Sequence, residues 1–117
     1  MMSRVSIFPC AVLLIVLSGM KGAGAVEPTG RALAHDQEKG NCLACHRMPS
    51  DAGAETAATL GPPLENVKRR YPDRGQLRAQ IWDARAKNPD TIMPPYGRHR
   101  ILTETEIDLV VDYIHGL

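Results

Sequence analysis

Five consecutive residues carry most of the chemistry legible in this chain: Cys42-Leu43-Ala44-Cys45-His46. Two thiols three positions apart, followed at once by an imidazole, form the haem c attachment signature. One helical turn brings both sulfurs to the vinyl groups of a porphyrin, where they form thioethers. The adjacent imidazole is then held below the iron, with Nε2 placed to ligate. Redox-active disulfides share the Cys-x-x-Cys spacing. That reading wants a βαβ setting, and no stretch here alternates at period two for long enough to make a strand.

A haem iron in a carrier takes a second axial ligand. The candidates are Met48, Met93, His35, His99 and His115. Met48 lies two residues after His46 and cannot reach the opposite face of the ring. His35 falls in an expected first helix, on the His46 side of the chain. Met93 lies 47 residues beyond His46, in Thr91-Ile92-Met93-Pro94-Pro95-Tyr96-Gly97, where two prolines stiffen the backbone. A thioether is a soft ligand, and His/Met ligation raises the reduction potential. Met93 is the expected ligand and His99 its rival; core packing is the plainer role for a lone Met. A ligating His needs an acceptor for its other ring N–H. The stiff turn Gly61-Pro62-Pro63-Leu64 is expected to supply one at Pro62, if it is more than an ordinary loop turn.

These residues must be positioned by helices. Thr29 can cap a helix over about 30–39, which Gly40 breaks. Asp73 can cap a second, with Leu77, Ile81 and Ala84 on one face and Asn88-Pro89 at its end. Thr103 and Glu106 form a capping box before Ile107, Val110, Val111 and Ile114, and Gly116 suits the stop. The expectation is an all-α fold with three main helices and two long loops. Residues 47–66 show no period, and so long an irregular stretch needs something to hold it; a large flat ligand would do so. Trp82 reads as core rather than as a haem-edge residue.

The chain has 117 residues, which suits one domain and excludes a multi-domain enzyme. Residues 1–25 read as a secretory signal peptide: Arg4, an apolar run over Val5–Ser18, then Ala23-Gly24-Ala25. That run is shorter than the ~20 residues of a membrane span; an uncleaved anchor is the competing reading. Cys10 lacks the context of a lipid-modified cysteine. Cleavage leaves residues 26–117 as the cytochrome c domain, with Cys42 and Cys45 its only cysteines, 12 basic residues and 13 acidic. That balance argues against a nucleic-acid binder, and no further apolar run is long enough to span a membrane. So few aromatics make a thin core, a deficit that a prosthetic group would fill. Residues 66–100 carry nine basic residues against three acidic. Lys68, Arg69 and Arg70, with Arg74 and Arg78, either steer an anionic substrate or partner or form a solvated helix face.

Taken together, Gly40–His46, the Gly61–Leu64 turn, Tyr71-Pro72-Asp73-Arg74, Thr91–Gly97 and Leu102–Ile107 resemble the SoxX family. Its members are the small monohaem cytochrome subunits of SoxAX sulfur-oxidation complexes. The resemblance runs from about residue 30 to the C-terminus; nothing in 47–60 contributes to it. It implies an all-α cytochrome c fold, three main helices and long loops wrapped around one covalently bound haem, with Cys42 and Cys45 as the covalent links and His46 and Met93 as axial ligands. It further implies a periplasmic location and a SoxA-like dihaem or monohaem cytochrome subunit as partner. A SoxYZ-like carrier protein is met indirectly, and a downstream cytochrome accepts the electrons. The complex is an L-cysteine S-thiosulfotransferase: it joins thiosulfate oxidatively to a carrier-protein cysteine and releases two electrons. With both cysteines engaged as thioethers no nucleophilic thiol remains, and six-coordinate iron leaves no open position. The expected role is therefore electron relay, with no catalytic residue on this chain and the sulfur chemistry on the partner. The competing roles are a freely diffusing c-type electron carrier and a thiol–disulfide oxidoreductase.

Overall fold

Helix α1 (Gly30–His35) begins where Thr29 Oγ1 accepts the Ala32 N–H at 3.1 Å, the cap expected from the sequence. The computed structural model describes residues 26–117, so the expected leader over 1–25 lies outside the described residues. α1 ends at His35, short of Lys39. Asp36 leaves the helix with φ −67° and ψ 120°, and its carboxylate accepts the Glu38 N–H at 2.8 Å. A local side-chain bond thus replaces the next helical turn.

Helix α2 (Val67–Arg70) is a single turn that the sequence reading does not anticipate. Asn66 enters it in the left-handed region, φ 49° and ψ 39°, which Asn tolerates. Val67 is its buried residue. Helix α3 (Arg74–Trp82) starts as expected, with Asp73 Oδ1 accepting the Gly75 N–H at 2.7 Å. It stops at Trp82 rather than running to Asn88. Asp83 turns extended and accepts the Arg85 N–H at 3.2 Å, opening a short 3-10 turn over Ala84–Ala86.

Helix α4 (Glu104–His115) carries the full capping box. Thr103 Oγ1 accepts the Glu106 N–H at 3.2 Å, and Glu106 accepts the Thr103 N–H at 2.8 Å. Ile107, Val110, Val111 and Ile114 form its buried stripe. α1 crosses α4 closely because Gly30 has no side chain; a Cβ there would overlap the Leu109 carbonyl oxygen. α3 is tied to α4 by charge: Arg78 Nε donates to Asp108 at 2.8 Å, and Arg74 pairs with Asp112. The described residues contain no strand, and no helix among them is long and apolar enough to cross a membrane.

The irregular segment after His46 is held over much of its length by bonds to the protein itself, anchors that the sequence reading does not anticipate. Met48 and Ala54 are buried in the core. Asp51 receives Arg31 Nε at 2.7 Å and the Tyr113 hydroxyl at 2.5 Å. Thr56 Oγ1 donates to the Leu43 carbonyl at 3.1 Å. Only its far end, from Leu60 onward, reaches the cleft described next.

Candidate functional site

Asn41 adopts a left-handed conformation, φ 46° and ψ 37°, and reverses the chain into a 3-10 turn over Cys42–Ala44. The Cys42 carbonyl accepts the Cys45 N–H at 3.2 Å and the His46 N–H at 2.8 Å. This one turn delivers Cys42, Cys45 and His46 to a single cleft of about 340 Å³, within the usual range for a ligand site. Both thiols are free and half-buried. Burial pushes the Cys42 thiol up to about 11. Leu77, Ile81, Leu102, Val110 and Ile114 give the cleft an apolar wall drawn from α3, α4 and the loop between them.

His46 Nδ1 lies 2.6 Å from the Pro62 carbonyl oxygen, the acceptor expected from the turn. That bond fixes the proton on Nδ1 and leaves Nε2 with its lone pair. Gly61 makes the approach possible, since a Cβ at this position would overlap the imidazole. The Gly61 N–H donates to the Cys45 carbonyl at 2.8 Å, and the Leu64 N–H to the Arg47 carbonyl at 2.7 Å. The turn is therefore laced to the attachment segment on both sides of His46.

Met93 lines the same cleft and is half-buried. The other candidate ligands are engaged elsewhere. Met48 is 1% exposed, with its sulfur 3.4 Å from the Tyr113 hydroxyl. His35 Nε2 lies 3.2 Å from Asp51, His99 Nε2 lies 3.3 Å from Arg85, and His115 Nε2 lies 2.9 Å from the Tyr71 carbonyl. None of these four residues lines the cleft. Trp82 also stands outside it, half-buried against the core with its ring on Gly97 and Arg78 stacked at 5.3 Å.

The basic patch expected from the sequence is divided. Arg74 and Arg78 are spent on Asp108, Asp112 and Glu104 of α4. Lys68, Arg69 and Arg70 make no salt bridge within the described residues, though Arg70 donates to the Pro63 carbonyl at 2.8 Å and lines the cleft. Arg74 and Arg78 are four residues apart on α3, and Asp108 and Asp112 four apart on α4, so each pair shares one face of its helix.

Several site residues escaped the sequence reading. Gly61 was read as part of a stiff turn, not as the space an imidazole occupies. Tyr96 is 8% exposed, and its hydroxyl donates to the Gly40 carbonyl at 2.5 Å. Burial holds that phenol well above its usual pKa, so it stays a donor. An aromatic inside a Pro-rich loop beside a candidate ligand was the available hint. Leu60 and Ile92, each 70% exposed, belong to the cleft wall as well.

The donor set suits one group. Two unpaired thiols, an imidazole with one nitrogen committed, a thioether and an apolar wall fit a haem joined to the chain, and the cradle at Gly61 leaves room for the imidazole alone. Fold and site together define a haem-carrying electron-transfer protein of the c type. The family model "Cytochrome c" matches residues 28–117, and the chain belongs to that family. Membership implies a covalently attached haem c. The chain is also similar to an "Uncharacterized lipoprotein" of Aquifex aeolicus (strain VF5), 31% identical over 78 residues. The aligned part is 67% of this chain and 37% of that relative, so the chain spans little more than a third of it.

Proposed function

We propose that this chain is the electron-relay subunit of a periplasmic thiosulfate-oxidising complex of the SoxAX type. Cys42 and Cys45 hold the haem, and His46 and Met93 are its axial ligands. The observation that carries the assignment of roles is the convergence of both cysteines, His46 and Met93 on one cleft. No other cysteine occurs among the described residues.

When bound, the haem supplies a one-electron couple. The chain's own residues do the rest. The Pro62 carbonyl orients His46 and strengthens it as a donor. The thioether of Met93 favours the reduced state. Leu77, Ile81 and Val110 keep water from the cleft. With both sulfurs committed to the haem, the chain offers no thiol for bond formation, so the sulfur chemistry falls to the partner. Leu60 and Ile92 present apolar surface beside the cleft, and the exposed Lys68 and Arg69 steer an acidic face toward it.

The narrower assignment rests on the motifs shared with the SoxX family, above all the Met93 loop followed by the Thr103–Glu106 capping box. Affinity purification of the tagged chain tests it. Recovery of a second cytochrome, and loss of thiosulfate turnover on deletion of this chain, is the expected result. A chain that runs alone and whose deletion leaves thiosulfate turnover intact is a freely diffusing carrier instead.

A further inference from the structure

We propose that Tyr96 is a positioning residue whose hydroxyl clamps the Met93 loop across the cleft to the segment that enters the attachment motif. The inference rests on Met93 being the axial ligand. Tyr96 and Gly40 are 56 positions apart, and their bond of 2.5 Å is buried. Gly40 is itself fixed, its N–H donating to the Leu33 carbonyl of α1 at 3.0 Å. The next residue, Asn41, begins the turn that delivers Cys42.

The loop's other hydrogen bonds stay local or run to the end of α3, with the Thr91 N–H donating to the Asn88 carbonyl and the Gly97 N–H to the Trp82 carbonyl, each at 3.1 Å. Pro94 and Pro95 have no N–H to donate. The Met93 N–H goes only as far as Thr91 Oγ1, at 3.2 Å. The Tyr96 N–H closes a turn on the Pro94 carbonyl at 3.0 Å. Within the described residues, the Tyr96 hydroxyl makes the one hydrogen bond from the 91–96 segment to the attachment side of the cleft. The same residue anchors the loop behind Met93, because its carbonyl accepts the Ile101 and Leu102 N–H groups at 2.9 and 3.1 Å. Leu102 is 2% exposed and leads directly into the Thr103 cap of α4. Tyr96 is thus fastened to both sides of the cleft, three residues from the thioether.

The test compares the haem-loaded protein with Tyr96→Phe, Ile107→Val and Met93→Ala. The readout is binding of added imidazole to the ferric protein, which requires the native sixth ligand to leave. Tyr96→Phe keeps the ring and removes the clamp, so imidazole should bind about fivefold more tightly, as expected for one lost hydrogen bond. Amide exchange at Ile101 and Leu102 should quicken with it. Ile107→Val loosens the core without touching the loop and should bind imidazole as the parent does. Parental binding by Tyr96→Phe, beside a Met93→Ala variant that binds imidazole tightly, overturns the clamp alone. An equal gain in Tyr96→Phe and Ile107→Val also overturns it, by tracing the effect to general loosening. A Met93→Ala variant that binds imidazole no better than the parent overturns the ligand assignment, and the clamp falls with it.

Discussion

His46 and Pro62 are joined by a 2.6 Å bond from the imidazole Nδ1 to the carbonyl oxygen, and that bond is possible only because Gly61 beside it lacks a Cβ. The His46 imidazole, its orienting acceptor and the space for both are thus set by three features of two short segments. Gly61→Ala should displace the ring or the turn. Overpacking of this kind costs about 1–3 kcal/mol. Denaturant unfolding of the haem-loaded variant measures the loss, and a shifted reduction potential should accompany it. Parental values for both would mean that the imidazole does not lie against Gly61.

Met93→Ala should open one coordination position. The reduction potential should fall, because a soft thioether is lost, and small exogenous ligands should bind. Redox titration and absorption spectra check both. A variant with the parent's spectrum and potential removes Met93 from the iron.

The Arg31–Asp51–Tyr113 cluster should make stability depend on pH at both ends of the range. Arg31 and the Tyr113 hydroxyl hold the Asp51 carboxyl far below the usual carboxylate range. Its contribution is therefore complete above the ordinary aspartate value near 4 and is lost as pH falls below it. Burial, then the bond to Asp51, pushes the Tyr113 phenol well up. That contribution is complete below about pH 10 and is lost as pH rises beyond it. Asp51→Asn should lower thermal stability at neutral pH and flatten its acid limb. Tyr113→Phe should flatten the alkaline limb. Melting curves across pH decide both, and limbs of unchanged slope would discount the cluster.

Reversal of Lys68, Arg69 and Arg70 should slow association with a redox partner and weaken its dependence on salt. Stopped-flow kinetics at several ionic strengths provide the measurement. Unchanged rates would leave these side chains as solvated surface.

Thr103→Ala removes one half of the capping box at α4 and should cost about 1 kcal/mol in denaturant unfolding. The loss should be independent of haem redox state, since Thr103 is not part of the cleft wall. A loss that differs between the oxidised and reduced protein would couple this cap to the iron.

What the sequence made legible was local. Thr29, Asp73 and Thr103 cap their helices through bonds that span two or three residues, and each stands where the pattern put it. The attachment turn and the Pro62 acceptor were equally readable, because spacing and proline stiffness determine them. Non-local bonds were not. Asp51 reaches Arg31 across 20 positions and Tyr113 across 62, so nothing in the irregular run after His46 announced its anchor. α2 depends on Asn66 turning left-handed while its N–H donates to the Leu117 carbonyl at 2.8 Å, a contact with the far end of the chain. The early ends of α1 and α3 follow from Asp36 and Asp83, whose side chains capture nearby N–H groups in preference to another helical turn.

The central claim is that a porphyrin is bonded to Cys42 and Cys45. Intact mass of the purified protein under denaturing conditions, read beside its absorption in both redox states, addresses this most directly. A polypeptide heavier by one haem that stays coloured when unfolded is the expected result. A colourless product with the mass of the amino acids alone would contradict it.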